Sequence, residues 1–179
     1  MSFTELTYVF TAICLVVFVA TYFFQQQKRD KKDKVVPIPT PTNNPNLTLL
    51  ITQAYERMVT FASRSGFPSM MERMQATEMS AQQLADVYIS SIQAEFEHNL
   101  SQQIYLPENI WQAITDMKDQ QLFILRQIKQ TLPENAPANL LSMAIETFLQ
   151  ADPNASMQPM ILELLKTEAR KNLYTLQNT

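Results

Sequence analysis

The near-absence of glycine is the feature that most restricts how this chain can fold. Its 179 residues include one glycine, Gly66, and ten prolines. Glycine adopts positive φ without steric cost, so a chain with a single glycine has few positions for tight β-hairpins. Glycine-rich loops that hold phosphates are nearly excluded as well, and neither nucleotide-binding fingerprint is present. The composition therefore predicts an all-α protein whose turns are formed by Pro, Asn and Ser.

A stretch of 19 residues without charge, from Leu6 to Phe24, lies near the N-terminus. At 1.5 Å per residue, a helix of this length covers roughly 28 Å, close to the ~30 Å hydrocarbon core of a bilayer. Tyr8 and Tyr22 lie near its two ends, where amphipathic rings favour the membrane interface. A secretory signal would carry basic residues before the run and a small-residue cleavage site after it. Neither is present, so the pattern predicts a transmembrane helix over 6–24 after a short extracytoplasmic segment, 1–5.

Five basic residues directly follow the predicted span, and none precedes it: Lys28, Arg29, Lys31, Lys32 and Lys34. Because positive residues beside a span remain on the cytoplasmic side, they predict a single-pass inner-membrane protein with its N-terminus outside and its C-terminal domain in the cytoplasm. The same side chains are expected to contact lipid headgroups, with about 1 kcal/mol for each on an anionic leaflet. A nucleic-acid partner is not expected, since no aromatic residues are interleaved with the basic ones.

The segment 25–46 joins the predicted span to the rest of the chain. Its second half contains four of the prolines, which oppose helix and favour an extended spacer of roughly 3.1 Å per residue. The segment 47–179 is then expected to fold as one helical domain with a core of its own. It carries nine basic and 14 acidic residues, so its net charge is expected to keep it away from anionic lipid and nucleic acid.

Hydrophobic residues recur at helical spacing through this domain and predict a bundle of five to six helices joined by short loops. Ser80 and Gln83 form a capping box at the start of the third helix, and Gly66 occupies the place of a C-terminal cap after the first. Pro107 is expected in the first turn of the fourth helix. The predicted helices cover 46–65, 67–74, a long helix from 80, 107–132, 138–150 and 158–176.

Two segments carry a resemblance to a known family. Residues 53–58, QAYERM, and residues 95–105, EFEHNLSQQIY, followed by Trp111, resemble an uncharacterised family of Bacteroidota membrane proteins. The resemblance covers roughly 53–114 and the predicted span. Its members share the plan of one N-terminal span, a charged linker and a helical domain. The resemblance implies a bacterial inner membrane as the setting, and it implies no activity.

Glu95 and His98 form an E-x-x-H pattern, which places a carboxylate and an imidazole on one face of the third helix. Di-iron bundles use this pattern twice, and this chain has one histidine, so neither a metal site nor another cofactor is predicted. Catalytic nucleophile motifs are also missing. A buried or half-buried polar network with the first helix is expected instead, comprising Glu56, Arg57, Glu95, Glu97 and His98. Within it, Arg57 should pair with Glu95 or Glu97.

The fourth helix is apolar over more of its circumference than one stripe requires, so it is either central in the bundle or covered by a partner. Its candidate interface residues are Trp111, Phe123 and Leu125. The sequence favours a membrane-anchored interaction or scaffold subunit that binds a second copy or another membrane protein through the fourth helix or the C-terminal helix. The alternative is an enzyme or sensor that uses Glu95 and His98. A stoichiometric partner would indicate the first role, and a ligand bound in the protein's own pocket would indicate the second.

Overall fold

The structure is a computed structural model that describes residues 45–74, 78–152 and 155–177. These residues form a helical bundle, which confirms the predicted all-α class. Its elements are α1 (Pro45–Arg64), α2 (Phe67–Arg73), α3 (Ala81–His98), a 3-10 helix (Leu100–Tyr105), α4 (Glu108–Thr131), α5 (Ala138–Ala151) and α6 (Gln158–Gln177). The predicted span, its basic flank and most of the linker lie outside the described residues. Among the helices that are described, none is long and apolar enough to cross a membrane.

The helices begin and end close to the capping residues and prolines in the sequence. Each predicted boundary lies within one residue of the observed one. The capping box is present, because the Ser80 hydroxyl accepts the N–H of Gln83 at 3.2 Å and the Gln83 side chain accepts the N–H of Ser80 at 2.9 Å. Pro107 lies one position earlier than predicted, as the N-cap of α4. The 3-10 helix between α3 and α4 was not predicted.

Gly66 has a different role from the one predicted. Its φ of −63° and ψ of 139° describe an extended conformation that any residue adopts, so it is not a left-handed cap. The glycine permits a close approach instead, because a Cβ at this position would clash with the side-chain amide of Gln158. The Nε2 of this amide donates to the carbonyl of Ala62 at 3.2 Å. The missing side chain therefore lets the first residue of α6 bind near the C-terminal end of α1.

Two hydrophobic clusters form the core, and α4 belongs to both. The first half of α4 packs with α1 and α6 through Ile110, Ile114 and Met117. Its second half packs with α3 and α5 through Ile124, Leu125 and Ile128. Because α4 contacts α3, α5 and α6, most of its wide apolar arc is covered within the bundle. Leu125, predicted as an interface residue, is fully buried and cannot contact a partner.

Two tyrosines are buried with their hydroxyls inside the bundle. Burial raises the pKa of Tyr55 on α1, and the Asn172 side chain of α6 faces its hydroxyl without reaching hydrogen-bond geometry. Burial also raises the pKa of Tyr88 on α3, whose hydroxyl donates to the carbonyl of Met74 at 3.4 Å. Both hydroxyls therefore remain protonated at neutral pH and act as neutral core groups.

Adjacent glutamines occupy the middle of α4, where the two clusters meet. Both Gln120 and Gln121 are buried. Nε2 of Gln120 donates to the carbonyl of Ala155 at 2.9 Å, and its Oε1 accepts the N–H of Met157 at 2.8 Å. Within the described part of the chain, neither amide atom of Gln121 has a hydrogen-bond partner. An unpaired buried polar group costs roughly 1–3 kcal/mol, so the two glutamines affect stability in opposite ways.

Replacing each glutamine by methionine, which has a similar volume, is expected to separate these effects. Gln121→Met removes an unpaired amide and should raise the free energy of unfolding by about 1–3 kcal/mol. Gln120→Met leaves the Ala155 carbonyl and the Met157 N–H without their partner and should lower it by a similar amount. The measurement is urea unfolding of the full chain in mild detergent, followed by circular dichroism. Equal losses in both variants would show that the Gln121 amide is paired.

Candidate functional site

An open groove of about 620 Å³ lies between α1 and α3. It is lined by residues of α1 from Glu56 to Arg64 and by the end of α3 from Ala94 to Asn99. Four of the five residues predicted for the polar network line it: Glu56, Arg57, Glu95 and His98. The fifth, Glu97, is exposed outside the groove, because a residue two positions from Glu95 points to a different face of the helix.

The partners of Arg57 differ from the prediction. Its Nε donates to Oδ1 of Asn99 at 3.2 Å, and its Nη2 lies 3.3 Å from Nε2 of His98. Across the described ranges, Arg57 forms no ion pair with either predicted carboxylate, so the predicted pairing was wrong. The carboxylate of Glu95 is taken by Arg64, whose Nη2 lies 3.1 Å from it. The contacts run in opposite directions along the two helices, so that Arg64 lies opposite Glu95 and Arg57 lies opposite the end of α3.

Glu95 is shared between two arginines at the edge of the groove. Besides Arg64, the Nη1 of Arg73 lies 4.0 Å from the carboxylate, and Arg73 also donates to the backbone carbonyl of Arg64 at 2.7 Å. These charges lie at the surface, where an ion pair contributes about 0–1 kcal/mol. The network that was predicted as buried or half-buried therefore lies mostly at the surface. Of its members only Glu95 is partly buried, and the others are exposed: Glu56, Arg57, Glu97 and His98.

A row of three aromatic rings packs next to the groove. The centroids of Phe61 and Phe96 are 5.7 Å apart, and Phe96 stacks on Trp111 at 5.2 Å with the ring planes inclined by 27°. The ammonium of Lys118 lies 4.6 Å from the Phe96 centroid, a cation–π contact. These rings join α1, α3 and α4, so the predicted interface residue Trp111 is partly buried in the stack. Phe123 is partly exposed and belongs to neither core cluster.

Glu95 and His98 do not form a ligand pair. Glu95 faces Arg64 and His98 faces Arg57, and a guanidinium beside each side chain opposes the binding of a cation. In the ranges that the structure covers, no group of three or more His, Cys, Asp or Glu side chains could hold a metal ion. The E-x-x-H spacing thus places both residues on the groove but gives them separate partners. An enzymatic or sensory role for them gains no support from this geometry.

Arg64 and Asn99 belong to the site although neither was predicted. Arg64 follows Arg57 by seven residues and Asn99 follows Glu95 by four, so each pair shares one face of its helix. Nδ2 of Asn99 also donates to the carbonyl of Glu95 at 2.7 Å, which fixes the side chain at the end of α3. Their helical spacing from Arg57 and Glu95 could therefore have predicted that both residues belong to the site.

Comparison with known proteins gives a family and no activity. The model of a family of unknown function, DUF7935, matches residues 1–172. The chain belongs to this family. The resemblance to an uncharacterised family is confirmed to that extent. The match includes the N-terminal segment as well as the helical bundle, so the two occur together in the family. No curated protein and no solved structure matches the chain.

The exposure of Arg57 leads to a clear expectation for stability. Arg57→Met should change the free energy of unfolding by less than about 1 kcal/mol, because a surface contact contributes little. The predicted buried pair would have required a loss of roughly 3–5 kcal/mol. Urea unfolding of the full chain measures the difference, with Gln120→Met as a variant that should show a clear loss. A loss of more than about 3 kcal/mol for Arg57→Met would show that a buried carboxylate pairs with it.

Proposed function

We propose that the protein is a membrane-anchored interaction subunit whose α1–α3 groove binds an acidic side chain of a partner protein. The observation that carries the proposal is the position of Arg57. Its guanidinium is exposed in the groove, and its partners within the described chain are an amide and an imidazole, with no carboxylate among them. A guanidinium fork donates two parallel hydrogen bonds to a carboxylate, so an acidic side chain fits this site best.

The charge around the groove supports an acidic protein partner. The domain carries more acidic than basic residues, yet three arginines gather at this one place: Arg57, Arg64 and Arg73. Arg64 and Arg73 share Glu95, which leaves Arg57 as the lining arginine with no carboxylate partner in the described ranges. The exposed side chain of Ala94 supplies apolar surface beside these charges, and the buried ring of Phe61 also lines the groove. A polar rim beside an apolar floor is the usual anatomy of a protein–protein interface.

The membrane anchor and its orientation belong to the same proposal. The uncharged run 6–24 is proposed to span an inner bacterial membrane once, with the basic residues from Lys28 to Lys34 on the cytoplasmic leaflet. The segment 47–179 is then a cytoplasmic domain confined to the plane of the membrane. Confinement raises its effective concentration for neighbouring proteins, so the partner is another membrane protein or a second copy of this chain.

Reporter fusions after Thr179 test the orientation. A fluorescent protein that matures in the cytoplasm is expected to be fluorescent there, and alkaline phosphatase is expected to be inactive, since the basic flank retains the domain inside. A matched control moves the charge: lysines in place of Ser2, Phe3 and Thr4, with glutamines in place of the five flank residues, should invert both reporters. Phosphatase activity in the unmodified chain would place the domain outside and contradict the orientation.

Photo-crosslinking in native membranes tests the groove. Thr60 is exposed on the groove lining, so a photo-reactive amino acid at this position should form a discrete adduct with the partner. Arg57→Glu should abolish the adduct because it places like charges opposite each other, and Arg57→Lys should retain part of it. The control is the same amino acid at Gln150, which is exposed on α5 and outside the groove.

Mass spectrometry of the adduct then identifies the partner and the cross-linked segment, which is expected to contain Asp or Glu. An adduct that persists unchanged in Arg57→Glu would show that the groove does not recognise negative charge. The absence of any adduct from Thr60, with the chain correctly inserted in the membrane, would overturn the interaction role itself.

A further inference from the structure

Four aliphatic side chains are exposed on α1 and the 3-10 helix. Leu49 and Leu50, in the first turns of α1, are 56% and 39% exposed, and Leu100 and Ile104, in the 3-10 helix, are 41% and 72% exposed. Single exposed aliphatic residues are normal on a protein surface, whereas several on neighbouring elements indicate a surface that binds something. These four residues are called the aliphatic end below.

The two elements lie at the same end of the bundle. Arg64 contacts Glu95, and Arg57, which precedes Arg64 on α1, contacts Asn99, which follows Glu95. The residues that follow Asn99 therefore lie beside the part of α1 that precedes Arg57. The 3-10 helix contacts α1 in agreement with this order. The aliphatic end is thus adjacent to the groove, at the start of α1.

The aliphatic end is also free of charge. Residues 45–55 and 99–107 contain no Asp, Glu, Lys, Arg or His, although the domain as a whole is acidic. Acidic side chains would be repelled by an anionic leaflet, and a charge taken into the bilayer costs several kcal/mol. Burying aliphatic surface in the bilayer instead stabilises the docked state by about 25 cal/mol per Å². On this end of the domain, these two segments are therefore the surface whose chemistry suits lipid, whereas the neighbouring helix α6 carries the charged pair Glu168 and Lys171.

The N-terminal segment 1–44 joins the domain at this same end. Pro45 begins α1, so residues 1–44 join the domain beside Leu49 and Leu50. If the basic flank 28–34 lies at the lipid headgroups, the ten residues 35–44 are all that separates it from α1. An extended spacer of that length covers roughly 31 Å. The aliphatic end is consequently the part of the domain that the tether brings closest to the bilayer.

We propose that the aliphatic end docks on the lipid surface, so that the domain rests on the bilayer instead of extending from it. The inference depends on the membrane anchor of the proposed function. Docking through Leu49, Leu50, Leu100 and Ile104 fixes one end of α1 at the headgroup boundary. The groove begins about two turns further along α1 and is then held close to the membrane surface, where a membrane-embedded partner exposes its cytoplasmic loops.

Depth-dependent quenching on the full chain tests this docking. The chain, with Cys14→Ala, is reconstituted in nanodiscs of phosphatidylethanolamine and phosphatidylglycerol and labelled with a fluorophore at Ile104→Cys. With quencher groups on the lipid acyl chains, this label should lose about half of its emission or more, as expected for side chains at the acyl boundary. Met143→Cys is the matched control, because Met143 is 56% exposed and lies on α5, a helix that packs in the other core cluster. Its emission should stay unchanged.

Further variants separate the possible outcomes. Leu49→Glu combined with Leu100→Glu should reduce the quenching at position 104, because a charge at the boundary opposes insertion. Equal quenching at positions 104 and 143, or none at either, would overturn the docking. Rapid disulfide formation between two Ile104→Cys chains, without quenching, would assign this surface to a second copy and overturn it as well. Release of the chain by alkaline carbonate would overturn the anchor together with the docking, whereas a retained chain with an unquenched label overturns the docking alone.

Discussion

The burial of α4 is the constraint on which the rest of the structure depends. Its 24 residues contribute the central side chains of both core clusters, so each cluster is complete only when α4 is in place. A helix that packs against neighbours on several sides must be apolar over a wide arc. The wide apolar arc of this helix therefore indicates a central position, in which Leu125 lies inside the core while Phe123 stays partly exposed.

A sequence of contacts leads from α4 to the groove. Gln120 binds the loop before α6 through Ala155 and Met157, and this fixes the position at which α6 begins. The first residue of α6, Gln158, then reaches past Gly66 to the carbonyl of Ala62 on α1. The end of α1 carries the groove arginines. These hydrogen bonds therefore help to fix α1, and the arginines that it carries, relative to α4 and α6.

The groove charges themselves contribute little to folding, because they lie at the surface and the aromatic row beneath them joins the helices. Helical periodicity was enough to bring four of the five predicted network residues to one groove. It could not assign their partners, because Glu95 and Asn99 are one turn apart and either could have faced Arg57. The register between two helices distant in sequence decided that Arg57 faces Asn99 and Arg64 faces Glu95.

The amino-acid sequence by itself determined the all-α class and the ends of the α-helices, because capping residues, prolines and hydrophobic spacing act over a few neighbouring positions. Only the tertiary structure decided why Gly66 carries no side chain, why Leu125 is unavailable to a partner and why Leu50 remains exposed. Each of these depends on what packs against the residue from a distant part of the chain. A pattern along one helix shows which side chains share a face, and only the packed bundle shows which neighbour, if any, covers that face.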